Sequence, residues 1–129
     1  MSTKLLRYRI IESIKLLASE GTVQLSCYSD FVCKGDEIAC SLADWLLLYK
    51  DDKDYDPEYA FQHEELALMY EIKEKISSFY SDDFSDYAIL HSPKWERIRD
   101  KAKKLLNILN VEYSLPDKIV FKRFLCQSY

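Results

Sequence analysis

The stretch DPEYAFQHEELALMYEIKEKISSFY, residues 56–80, is where the fold class is read. Asp56 can cap a helix, Pro57 suits the first helical position, and Glu58 is favourable against the helix dipole. Phe61, Leu68, Ile72, Ile76 and Phe79 then recur along one stripe, which Met69 and Tyr80 widen and Glu65 alone interrupts. The spacing predicts a helix from Asp56 to about Tyr80.

The same period extends in both directions. Leu6, Ile10, Ile14 and Leu17 predict an amphipathic helix from Thr3 to Glu20, with Gly21 placed to end it. Thr22 is a candidate cap for a short helix through Val32, with Gly35 marking its end. A helix from Asp36 or Glu37 to Lys50 carries Ile38, Leu42, Trp45, Leu46 and Tyr49 inward. Beyond Tyr80, Asp82-Asp83-Phe84-Ser85-Asp86-Tyr87 reads as a loop. Ser92-Pro93 then opens a helix that buries Trp95, Ile98, Ala102, Leu105 and Leu109.

The tail is ambiguous. Ile119, Val120, Phe121, Phe124 and Leu125 suit a strand, while Pro116-Asp117 can start a helix; a lone strand has no partner, which favours the helix. With two glycines and three prolines in 129 residues, turn-rich β architectures are disfavoured. The expectation is an all-α, single-domain bundle of five or six helices over residues 1–129.

Composition narrows the function classes. The net charge of −4 disfavours nucleic acid as the main partner, because phosphates demand a basic face. The longest wholly apolar run, Trp45 to Tyr49, is far short of a membrane span of roughly 20 residues. Glu12 and Lys15 interrupt the N-terminal apolar stretch, so it does not read as a secretory signal and a cytoplasmic location is expected. Cys27, Cys33, Cys40 and Cys126 lack the two-residue spacing of zinc or redox motifs and are expected as reduced core filler.

Chemistry is sparse. His63 and His91 lack the preceding glutamates of di-metal bundles, and Ala67 stands where a zinc-protease helix needs its second histidine. Read as a calcium loop from Asp52, the sequence puts Pro57 at position six and His63 at position twelve. Read from Asp54, it puts Tyr59 where the turn glycine belongs. Gly21 and Gly35 cannot build a phosphate loop. No enzyme activity and no cofactor are expected. The segment Lys94 to Lys104 carries a local charge of +4 but reads as the outer face of a helix without interleaved aromatics.

Charge is concentrated elsewhere. Residues 51–65 hold seven acids against Lys53, a local −6. Within them, Asp51, Asp52, Asp54, Tyr55, Asp56, Glu58 and Tyr59 combine unpaired carboxylates, which resist burial, with tyrosines, which supply rigid contact area. Asp82, Asp83, Asp86 and Tyr87 repeat the chemistry after the fourth helix, on the order of 30 Å away along a helical rise. A basic protein is the natural complement.

A small, acidic, mainly helical chain with such acid–tyrosine loops resembles the bacterial immunity proteins that neutralise nuclease toxins in contact-dependent inhibition and bacteriocin systems. The resemblance implies tight binding to a basic toxin domain, by covering its active site or by mimicking nucleic acid with carboxylates. The alternatives are a helical adaptor binding through an apolar face and a carboxylate-based metal protein.

Overall fold

The computed structural model describes residues 1–53 and 55–121. They form α1 (Thr3–Ala18), α2 (Gly21–Ser26), α3 (Lys34–Lys50), α4 (His63–Ser77), α5 (Asp86–His91) and α6 (Pro93–Ile108). Short 3₁₀ turns at Pro57–Tyr59 and Ser81–Phe84 join them, and residues 118–121 open one more helical turn. Among the described residues there is no strand, so the chain is all-α. Cys126, Phe124 and Leu125 lie outside the described residues.

α1 is the hub, packed most extensively on α6 and α3, while α4 lies against α6 and α3, and α2 and α5 close one end. The core draws on the stripes expected from periodicity: Leu6, Ile10, Ile14 and Leu17; Ile38, Leu42, Trp45, Leu46 and Tyr49; Ile72 and Ile76; Trp95, Ile98, Ala102 and Leu105.

Several boundaries differ from expectation. α1 stops at Ala18, where Ser19 turns extended, its hydroxyl donating to Lys15 O at 2.7 Å. Gly21 therefore does not end α1 but opens α2, whose N-cap is Glu20, not Thr22, and which stops at Ser26. Gly35 sits inside the first turn of α3. Neither glycine adopts positive φ. Both permit close backbone approach instead: a Cβ on Gly21 would lie 2.8 Å from Ile89 O, and one on Gly35 would lie 2.7 Å from the carbonyl carbon of Phe84. The left-handed cap belongs to Asn110 (φ 58), which ends α6. Val111 N donates to Leu106 O at 2.9 Å and Asn110 N to Asn107 O at 3.1 Å, the Schellman pattern.

Helix four starts late. Asp56 caps the 3₁₀ turn by accepting from Glu58 N at 3.0 Å, then the chain extends through Ala60 before α4 begins at His63. Tertiary groups divert it: Arg7 Nη1 donates to Ala60 O at 3.2 Å, and Phe61 N donates to the Tyr49 hydroxyl at 2.9 Å. Glu65, the break in the apolar stripe, accepts from Gln62 N at 2.6 Å and so satisfies an orphan donor at the α4 start. Tyr80, expected to widen the buried stripe, is 75% exposed beyond the end of α4.

The segment Asp82 to Tyr87 is not an open loop but a 3₁₀ turn running into α5. Tyr80 N donates to Asp83 Oδ2 at 2.8 Å and Ala88 N to Ser85 Oγ at 3.1 Å, supplying the local caps. Among the described cysteines, Cys27 is buried while Cys33 and Cys40 are exposed, so the expectation of core filler fails for those two. Arg99 also departs from the outer face assigned to it and is buried.

Candidate protein-binding surface

The acidic linker leaves the C-terminus of α3 and is pinned to the start of α1. The buried Thr3 hydroxyl donates to Asp52 Oδ2 at 2.6 Å and accepts from Asp56 N at 2.9 Å, so one side chain fixes both flanks of the turn. Arg7 stacks over Phe61 with its guanidinium carbon 4.5 Å from the ring centroid, and Lys4 lies 5.7 Å from that of Tyr59. Tyr55 rests edge-on against Tyr49, with ring centroids 6.3 Å apart.

These contacts sort the expected residues. Asp52 and Asp56 hold the linker's shape, and Tyr59 is half-buried under Lys4. Asp51, Tyr55 and Glu58 present themselves to solvent. Asp54 lies outside the described residues. Lys4 and Arg7 also bring cations to a segment whose sequence alone counts −6, so the local field is weaker than the linear charge suggests.

Two further side chains join the surface. Leu47 is 61% exposed and Leu48 is 48% exposed, in the last turn of α3 directly before Asp51. The signal was present in the apolar run Trp45 to Tyr49, since a helix cannot turn five consecutive residues inward. With Tyr55 they add exposed apolar side chains to a segment whose exposed acids are Asp51 and Glu58, the mixture of residue types that protein interfaces use.

The second acidic patch is not part of that surface. The Phe84 backbone contacts Gly35 at the start of α3, whereas Asp51 follows its end. Sixteen residues of helix rise separate them, about 24 Å. Asp82 and Asp86 are exposed, and Tyr87 stacks beside His91 with centroids 4.6 Å apart. Asp83 is committed internally: it accepts from Lys94 Nζ at 2.8 Å and from Tyr80 N, and its carbonyl accepts from Trp95 Nε1 at 2.7 Å.

The Lys94 ammonium, then the Tyr80 amide, hold the Asp83 carboxyl below its ordinary value. A carboxyl lowered by folding contributes stability above its unfolded value near about pH 4, and that contribution is lost as pH falls through the folded value. Thermal melts of Asp83→Asn should therefore show a shallower fall in Tm than the parent protein as the pH drops below about 4. An unchanged acid limb would show the pair to be unimportant.

Among the described residues, no three His, Cys, Asp or Glu side chains converge as a metal site, and no helix is long and apolar enough to cross a membrane. Comparison with protein-family models, curated proteins and solved structures gives no match.

Proposed function

We propose that this protein is a non-catalytic binding module that neutralises a basic, nuclease-like toxin domain in the bacterial cytoplasm, as immunity proteins do. Its contact surface would be the exposed Leu47, Leu48 and Tyr55, with Asp51 and Glu58 as the charged rim.

The observation that carries this reading is the placement of acids at the wrong end of a helix. Asp51 caps the C-terminus of α3, where carboxylates oppose the helix dipole at a typical cost of about 0.3–1 kcal/mol. A residue serving solubility alone can sit anywhere on the surface. Here the unfavourable acid adjoins exposed leucines and a loop pinned by Thr3 and Arg7, which lowers the entropy lost on docking.

The test uses a basic, nuclease-like toxin domain, sought first in the neighbouring reading frame, with association followed at low and high salt. Asp51→Lys combined with Glu58→Lys should slow association by about tenfold at low salt, because rim charges act mainly on the on-rate. Folding should hold or improve, since lysine suits a helix C-terminus. Leu47→Ala with Leu48→Ala should instead speed dissociation. Association that ignores both salt and the charge reversals would sink the proposal. Asp52 and Asp56 are unsuitable for this experiment, because their loss would also release the linker from Thr3 or from its cap.

A further inference from the structure

The +4 segment on α6 acquires partners that its sequence neighbourhood lacks. Phe79 and Tyr80 arrive from the end of α4, so Lys94 Nζ lies 5.7 Å from the Phe79 ring centroid and 4.9 Å from that of Tyr80. The absence of interleaved aromatics, read along the chain, does not hold in space.

Between the C-terminus of α4 and α6 lies a cleft of about 210 Å³. Phe79 and Ile98 contribute its apolar surface, and Lys75, Lys94, Arg97 and Lys101 converge on it. Lys94 pairs with Asp83 at 2.8 Å and Lys101 with Glu71 at 2.9 Å. Among the described residues, Arg97 and Lys75 have no such ion pair, and both are exposed. Four cations thus face two carboxylates, leaving a charge of about +2. The opposed dipoles of the α4 C-terminus and α6 N-terminus offset each other there, so the side chains set the sign.

We infer that this cleft binds a phosphate monoester carried on a small aromatic or apolar group. A monoester carries a charge of about −1.5 to −2 at neutral pH, which balances the cleft, whereas a carboxylate would leave it half-compensated. Arg97 offers the planar fork that grips two phosphate oxygens, and Lys75 adds a point charge from the opposite helix. The Phe79–Ile98 surface receives the carrier. Drug-sized sites occupy roughly 300–1,000 Å³, so this smaller cleft takes a headgroup and a ring, not a whole nucleotide cofactor.

None of these residues belongs to the acidic linker, so the two proposals fail separately. Titration calorimetry with phenyl phosphate, inorganic phosphate and benzoate provides the test. Phenyl phosphate should bind about tenfold or more tightly than either of the others, and its binding should weaken below about pH 6 as the phosphate dianion takes up a proton. Arg97→Gln and Lys75→Gln, both at exposed positions, should each weaken it by about tenfold with Tm unchanged. Failure of phenyl phosphate to bind, equal binding of inorganic phosphate, or binding that survives the double variant would overturn the inference.

Discussion

Replacing Gly35 with alanine should destabilise the protein by roughly 3 kcal/mol, the upper end of ordinary overpacking, and lower Tm by about 10 °C. Helix propensity alone predicts the opposite sign. Gly35 lies in α3 with ordinary negative φ, where alanine is normally better by about 0.5–1 kcal/mol. Packing reverses this. An added methyl would meet the Phe84 backbone, with Phe84 Cα at 2.9 Å, and backbone cannot swing aside as a side chain can. The 3₁₀ turn at Ser81–Phe84 would have to lift off α3, straining the Asp83 contacts to Tyr80 and Lys94. Urea and thermal unfolding give the answer directly. A raised or unchanged Tm would mean that Phe84 does not press on α3.

Arg99→Met should cost about 3–5 kcal/mol, comparable to breaking a buried charged network by removing one partner. The buried guanidinium donates from Nε to Ser19 O at 3.1 Å and from Nη2 to Gln24 Oε1 at 3.1 Å and to Ile89 O. Its pair with Glu96, at 3.2 Å, is worth less, because the Glu96 side chain is 63% exposed and screened. The larger part comes from carbonyls just past the ends of α1 and near the end of α5, which attract a cation and lack helical donors. Gln24 extends the network by donating to Leu16 O at 3.1 Å and Leu17 O at 3.3 Å. Adding Gln24→Leu to Arg99→Met should therefore cost clearly less than Gln24→Leu alone, since its oxygen has already lost its donor. Strictly additive losses would show that the two side chains act independently.

The legible parts of the fold were those that depend on neighbours a few residues away. The apolar stripes of α1, α3 and α6 appear in the structure as the core, and Ser92-Pro93 starts α6 with Ser92 Oγ accepting from Lys94 N at 3.2 Å. The same local grammar misled at Asp56-Pro57. Its capping signal is used, but for one 3₁₀ turn, because Arg7 and Tyr49 claim the next backbone groups. At the candidate surface, sequence identified the acids and tyrosines but could not separate Asp51 and Glu58, which face solvent, from Asp52 and Asp83, which are tied to Thr3 and Lys94. That distinction depends on partners 49 and 11 residues away in the chain.

Sequence by itself determined the all-α class, the inward stripes and the acidic bias of residues 51–65, because periodicity and charge are properties of consecutive residues. Tertiary structure decided what each exception is for. Gly21 and Gly35, read as helix stops, are close-approach points; Arg99, read as surface, joins the ends of α1 and α5 to Gln24 of α2; Phe79 completes a cleft on a basic helix face. The physical reason is common to all three. The free energy of a backbone contact, a buried charge or a charged pocket depends on groups distant in sequence, and only folding brings those groups together.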